Sequence, residues 1–168
     1  MMTIRIRPAR REDRDTLGAL KLRASLAWGD HVEELRALPE ARQVPAEHLS
    51  SVIVAERAGR IVGFATVLPR GDGEAELEDL FVDPACWRCG VGTRLVAEAE
   101  RRAKALGTRS LHVIAGERAQ AFYERCGFRA VGTVMTDLAP ACEMRKELVP
   151  AYSAGFGWAG GSSSSTTR

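Results

Sequence analysis

The sequence has no long apolar run, few cysteines and almost no excess of charge of either sign. No apolar stretch approaches the roughly 20 residues of a transmembrane helix, so no membrane span is predicted. Four cysteines in 168 residues are too few for a disulfide scaffold. The 24 Lys and Arg against 22 Asp and Glu give a net charge of +2, which indicates no basic surface for nucleic acid. We expect a cytoplasmic protein without a membrane or nucleic-acid partner.

The chain instead has the length and composition of one globular domain. Apolar residues make up 45% and charged residues 27% of the 168 positions, enough for a single hydrophobic core. We predict a folded domain over residues 1–149 and a flexible tail over residues 150–168. The tail is rich in glycine and serine, with Phe156 and Trp158 as candidate docking residues.

The first half of the chain predicts a strand, two helices and a three-stranded antiparallel meander. Ile4 and Ile6 alternate with arginines, as in a half-buried strand. Helical patterns follow, the second over residues 30–38 with Asp30 as its N-cap. Residues 52–82 then contain three β-type stretches separated by two turns.

The second half predicts one long helix between two strands that run parallel. The helix would bury Val91, Leu95, Ala99, Ala103 and Leu106. Glu98 with Arg102 and Glu100 with Lys104 have the spacing of ion pairs within it, and Gly107 is placed to end it. A strand over 110–115, a short helix over 118–126 and two closing strands complete the prediction.

A glycine-rich turn, residues 83–93, connects the meander to the long helix. Gly90 and Gly92 let the backbone approach an anion closely, and the uncapped N–H groups of the helix start would face it. The same pattern is also compatible with a tight helix entry that binds nothing. The turn alone therefore leaves two interpretations open.

Two motifs in order resemble the GCN5-related N-acetyltransferases. They are Leu80-Phe81-Val82-Asp83-Pro84 with the turn after it, and Ala121-Phe122-Tyr123-Glu124-Arg125-Cys126-Gly127-Phe128. The resemblance spans residues 4–148. It implies an α/β fold with a mixed, mostly antiparallel central sheet, two splayed parallel strands, and helices on both faces.

The resemblance also implies that acetyl-CoA is the acyl donor and that no metal takes part. Backbone amides of the turn would hold the pyrophosphate. They are the amides of Arg88, Cys89, Gly90, Val91, Gly92 and Thr93. Phe81 and Val82 would bond the pantetheine arm through their backbones. Trp87 stands where the family usually has Gln or Arg, and Gly116 where related sequences often carry Asn. Cys86 and Cys89 have the spacing of half a zinc site, but no second pair or matching histidine follows at a suitable distance.

The reaction implied is direct acetyl transfer to a small amine in a ternary complex. Tyr123 is the implied general acid for the departing thiolate, and a packed aromatic is the alternative. Glu76 or Glu78 is the candidate base, since both would project to one face of their strand while Asp79 points to the other. A solvated acidic strand edge is the alternative for these glutamates.

The acceptor segment and the oligomeric state are less defined. Trp28 and Asp30 are candidates for binding the amine, with a helix corner capped by Asp30 as the alternative. A homodimer is possible. His31, His48 and His112 are assigned no role. A rival function is a non-catalytic acyl-CoA sensor or scaffold, which Trp87 and Gly116 favour and Tyr123 opposes.

Overall fold

Seven strands form one sheet, with helices on both of its faces. The computed structural model describes residues 3–148, so the predicted tail over 150–168 lies outside the described residues. The strands are β1 (Ile4–Pro8), β2 (Val52–Arg57), β3 (Arg60–Pro69), β4 (Ala75–Val82), β5 (Ser110–Ala115), β6 (Arg129–Met135) and β7 (Pro140–Glu147). The helices are α1 (Arg14–Leu26), α2 (Val32–Ala37), α3 (Val91–Ala105) and α4 (Gln120–Arg125).

The strand order β1-β2-β3-β4-β5-β7-β6 makes the sheet mixed but mostly antiparallel, which confirms the predicted fold class. Only β4 and β5 pair in parallel among these neighbours. Their pairing covers just two positions, Ala75 with Leu111 and Glu76 with His112. Beyond these positions the two strands separate, as the resemblance implied.

The hairpin between β2 and β3 follows from two residues in the left-handed region. Ala58 has φ 53° and Gly59 has φ 75°. A two-residue turn with positive φ at both positions matches the right-handed twist of the strands that it joins. The meander predicted for residues 52–82 is confirmed.

The α3 side of the sheet carries the larger hydrophobic cluster. Val91, Leu95, Ala99 and Ala103 are all buried there, as the helical period predicted. Leu106 was expected on the same face but is 54% exposed, because α3 ends at Ala105. Glu100 pairs with Lys146 on β7 rather than with Lys104, while Glu98 does contact Arg102, at 3.9 Å.

The α1 side of the sheet carries a second cluster. Leu17, Leu20 and Ala24 of α1 are buried against Phe64 and Val54. The next helix was predicted to begin with an Asp30 cap, and this is wrong. His31 is the N-cap residue, with φ 54°, and the Asp30 carboxylate bonds Arg118 instead. Within residues 3–148 no helix is both long and apolar enough to cross a membrane.

The first prediction concerns Gly18, which is buried in α1 where a β-carbon would lie directly against the carbonyl oxygen of Arg42. Helix propensity alone favours Ala over Gly by about 1 kcal/mol. We predict that Gly18→Ala instead lowers the free energy of unfolding by about 1–3 kcal/mol, because α1 or the 3₁₀ turn Pro39–Arg42 must move. Urea unfolding measures the difference. Thr16→Ala, at an exposed position of the same helix, is the control, and a Gly18→Ala variant more stable than the parent would contradict the close packing.

Candidate active site

The site is centred on the cleft that opens where β4 and β5 separate. From Leu77 to Val82, β4 has a strand partner only on its β3 side in the described sheet. The other edge of this segment is a row of backbone N–H and C=O groups that a bound ligand can pair with. Phe81 and Val82, the predicted backbone contacts, lie on this segment.

The turn between β4 and α3 presents free amides at the helix start. Arg88 has φ 63° and Gly90 has φ 83°, and this left-handed Gly90 is the N-cap of α3 with no side chain capping the helix. The amide of Arg94 makes the first intrahelical bond, to Gly90 O at 3.1 Å. The amides of Val91, Gly92 and Thr93 therefore have no acceptor within the helix and lie at its positive end. Such a group of donors fits a pyrophosphate.

Trp87 fastens this turn to the end of β4. Its indole Nε1–H donates to the Val82 carbonyl at 2.8 Å. Its ring also stacks on Trp28, with centroids 4.6 Å apart and planes inclined by 30°. The residue that departs from the family pattern thus connects three segments. At the other departure, Gly116, an added β-carbon would meet no heavy atom within 4 Å, so the space there is open.

The segment between α1 and α2 contacts both loops at the open end of the cleft. Trp28 stacks on Trp87, in the loop after β4. Asp30 accepts a hydrogen bond from Nε of Arg118, in the loop after β5, at 2.5 Å. We call residues 28–30 the strap. Trp28 is 45% exposed, and Asp30 and Arg118 are exposed as well. The two predicted acceptor residues are therefore brought to the cleft, although the structure assigns them these contacts and not a ligand.

Tyr123 lies on α4 with its ring buried. Phe122 and Phe128 both pack edge-on against it, with centroids 5.2 and 5.5 Å away. Burial raises the pKa of Tyr123 well above its usual value, and the negative charge of Asp79 raises it further. The hydroxyl is therefore protonated at neutral pH. Phe122 also packs on α3, because a β-carbon at Gly92 would lie 3.2 Å from its ring.

A bulge in β4 changes which side chains share a face. Thr66 pairs with Asp79 and Val67 with Leu77, so Glu78 has no partner in β3. Leu77 belongs to the α3-side cluster, whereas Asp79 lies 3.4 Å from Lys21 of α1. Because Glu76 precedes Leu77 and points away from α3, Asp79 shares the α1 side with Glu76. The expectation that Asp79 points away from Glu76 is wrong, since strict alternation ends at the bulge.

Glu76 and Glu78 have different surroundings. Glu78 is exposed, whereas Glu76 is half-buried with Arg70 Nη1 3.6 Å from its carboxylate. Burial raises the pKa of Glu76, and the charges of Glu78 and Glu143 add to this, while Arg70 and His112 act in the opposite direction. A half-buried carboxylate with a raised pKa at the apex of a cleft suits a general base better than an exposed one.

Sequence reasoning missed a polar network beside Glu76. Glu74 accepts hydrogen bonds from Ser110 Oγ and Arg145 Nη2, each at 2.8 Å, and its Oε2 lies 2.9 Å from His112 Nε2. The hydrogen bond from Ser110, with the charges of His112 and Arg145, lowers the pKa of Glu74 to about 2. These residues come from three separate segments, so no local sequence pattern predicts that they form a network. Among residues 3–148, no group of three or more His, Cys, Asp or Glu side chains is arranged to hold a metal ion.

Comparison with known proteins gives one family. The model of the "Acetyltransferase (GNAT) family" matches residues 20–128. The amino-acid acetyltransferase of Pseudomonas paraeruginosa is 34% identical over 109 residues, which are 60% of this chain and 25% of that protein. The amino-acid acetyltransferase of Azotobacter vinelandii is 34% identical over 112 residues, 62% of this chain and 26% of its own length. The chain thus spans about a quarter of the length of the curated relatives it matches.

Solved structures have the same fold. A GCN5-related N-acetyltransferase from Rhodopseudomonas palustris superposes with a TM-score of 0.74 at 26% identity, covering 88% of this chain and 98% of that one. The PaiA N-acetyltransferase from Thermoplasma acidophilum, in complex with coenzyme A, gives 0.69 at 21% identity over 87% of this chain and 99% of that one. The second likeness shows the fold alone.

The second prediction is that the raised pKa of Glu76 costs stability. Folding disfavours the ionised form, so the cost is present at pH above the folded-state pKa and disappears below the unfolded value of about 4.3. Glu76→Gln should therefore raise the melting temperature at pH 7, and the gain should shrink as pH falls toward about 4. Differential scanning fluorimetry across pH tests this. The exposed Glu78→Gln is the matched control, and an unchanged or lower melting temperature for Glu76→Gln at pH 7 would contradict the assignment.

Proposed function

The chain belongs to the acetyltransferase (GNAT) family, and from this premise we propose that it transfers an acetyl group from acetyl-CoA to a small amine. The observation that carries the proposal is the cleft between β4 and β5, where an unpaired strand edge, a free helix N-terminus and a buried tyrosine converge. The strand edge would supply a site for the donor, the helix N-terminus a site for its anionic group, and the tyrosine a proton for the leaving sulfur.

The donor would be held mainly by backbone groups. The amides from Arg88 to Thr93 would bind the pyrophosphate, since those of the first turn of α3 lack acceptors and Gly90 adopts a left-handed conformation. The free edge of β4 near Phe81 and Val82 would pair with the amide groups of the pantetheine arm, with the Val82 carbonyl already accepting from Trp87. Because backbone groups do the binding, Trp87 in place of Gln or Arg does not remove a required donor.

The chemistry proposed for this chain's residues is direct transfer in a ternary complex. Glu76 would take a proton from the ammonium form of the acceptor, which leaves a neutral amine to attack the thioester carbonyl. As the C–N bond forms and the C–S bond breaks, Tyr123 would donate its proton to the departing sulfur. Holding donor and acceptor in one cleft supplies the orientation. A covalent acyl-cysteine route is disfavoured because burial raises the pKa of Cys126, which keeps that sulfur as a weakly nucleophilic thiol.

Amino acids are the first acceptors to test, because the curated relatives are amino-acid acetyltransferases. The α1 side of the cleft offers cations for a carboxylate, but Lys21 is already 3.4 Å from Asp79. Arg70 lies 3.6 to 3.8 Å from Asp72, Glu76 and Glu143. We therefore keep the proposal at the level of a small amine.

The rival proposal is an acyl-CoA sensor without turnover. Its support was Trp87 and Gly116, yet Trp87 fastens the phosphate turn and Gly116 leaves open space. Neither departure blocks the cleft. The deciding experiment is a screen of amino acids, diamines and aromatic amines with acetyl-CoA, reading free thiol. Tight acetyl-CoA binding without release of thiol above the no-amine rate for any acceptor would favour the sensor.

The third prediction tests the pyrophosphate site through the backbone. Thr93→Pro removes one amide that has no intrahelical acceptor, and proline is tolerated in the first turn of a helix. A hydrogen bond to a charged group contributes about 1.5–3 kcal/mol, so acetyl-CoA should bind roughly 10 to 100-fold more weakly. Calorimetry measures the dissociation constant. Thr93→Ala keeps the amide and is the control. Equal affinity of the two folded variants would misplace the site.

The fourth prediction concerns Tyr123. Tyr123→Phe keeps the ring that packs between Phe122 and Phe128 and removes only the hydroxyl. General acid catalysis contributes about 100 to 10,000-fold, so turnover should fall by a comparable factor where sulfur protonation limits the rate. Melting temperature and acetyl-CoA affinity should stay close to the parent. A variant that matches the parent rate from pH 6 to 9 would remove the acid role from Tyr123.

A further inference from the structure

We propose that His112, fixed by Glu74, is a positioning residue for the reaction and sets when Glu76 can accept a proton. This inference rests on the proposed function, in which Glu76 is the general base. His112 is the Cα partner of Glu76 in the last pair before β4 and β5 separate, and it is 6% exposed. It therefore lies behind the apex of the cleft and does not reach the reacting groups itself.

One ring nitrogen of His112 is held by an anion. Nε2 lies 2.9 Å from Glu74 Oε2 and 3.4 Å from Ser110 Oγ. Glu74 stays a carboxylate at working pH because its pKa is about 2, and Ser110 and Arg145 both donate to its other oxygen. A carboxylate only accepts, so Nε2 carries a proton and donates it to Glu74. This bond fixes the orientation of the ring.

The other ring nitrogen of His112 lies toward Glu143 on β7. Nδ1 is buried and has no hydrogen-bond partner among the described residues, and Glu143 Oε1 is 3.5 Å away. Buried polar atoms without a partner are rare in folded proteins. With Nε2 held by Glu74, the unpartnered Nδ1 faces Glu143, the carboxylate that Arg70 joins to Glu76.

Charged groups surround the ring from every strand that packs against it. They are Glu74 before β4, Glu76 on β4, Arg70 after β3, and Glu143 and Arg145 on β7. Arg70 bridges Glu76 and Glu143, at 3.6 and 3.8 Å. The charge of His112 lowers the pKa of Glu76, whereas burial, Glu78 and Glu143 raise it. The charge of His112 therefore opposes the effect of burial on the pKa of Glu76.

The variant that separates charge from structure is His112→Gln. Its amide can still donate to Glu74, but it carries no positive charge. We expect the Glu76 carboxyl resonance, assigned with Glu76→Gln and followed by ¹³C NMR without substrates, to titrate about one pH unit higher than in the parent. The acidic limb of kcat/KM should move the same way, with about tenfold lower kcat/KM well below both midpoints and an unchanged KM for acetyl-CoA.

His48→Gln is the matched control. His48 lies in the 3₁₀ turn Ala46–Ser51, away from the network, and its loss should move neither titration. Identical Glu76 titrations in the parent and His112→Gln would overturn the proposal. If His112→Gln fails to fold, His112→Asn replaces it, and an unshifted Glu76 titration in that variant would overturn the proposal.

The NMR titration needs no turnover, so it separates two kinds of failure. A shifted Glu76 titration with no acetylation of any amine would overturn the proposed function and leave the electrostatic link intact. Acetylation with an unshifted titration would retain the function and remove His112 from it. An unshifted pH profile with a shifted titration would show that Glu76 is not the base, which also overturns the positioning role.

Discussion

The pairing of β4 with β5 over only two residues is the constraint on which the rest of the site depends. Parallel strands that stayed paired would satisfy every backbone group between them and leave no cleft. Here the hydrogen-bonded ladder stops at Glu76 and His112, and β5 continues against β7 alone. The free edge of β4 therefore opens toward the N-terminus of α3 and the tyrosine of α4. A donor that pairs with this edge would restore the hydrogen bonds that the separation removes.

The bulge at Glu78 is the second constraint, because it sets which acids face which layer. Without it, Asp79 would point into the α3-side core, where a carboxylate has no partner. The extra residue turns Asp79 toward Lys21 of α1 and leaves Glu78 in solvent. Glu76 remains half-buried beside Arg70, where its ionised form is disfavoured. Stability is therefore given up at a carboxylate whose raised pKa would suit the proposed role of general base.

How much was predictable depends on the range of the interactions involved. The strands, α3 and the turn at Gly90 follow from local alternation, helical period and glycine placement, and these were predicted close to their observed bounds. The bulge at Glu78 leaves no local pattern, so the face of Asp79 was predicted wrongly. The contact of Asp30 with Arg118 joins residues 88 apart, and that of Glu74 with Arg145 joins residues 71 apart. Such pairings are set by tertiary packing, which one sequence does not reveal.

The departure at Trp87 illustrates how a family pattern can change without loss of the cleft. A polar residue at this position would leave the Val82 carbonyl and the Trp28 ring without their present partner. The indole satisfies both, donating to the carbonyl and stacking on the ring. The strap then reaches across to Arg118 beyond β5 through Asp30, by a salt bridge that water surrounds. Because the aromatic contact is partly buried and the ionic one is exposed, the strap is held more firmly on its β4 side.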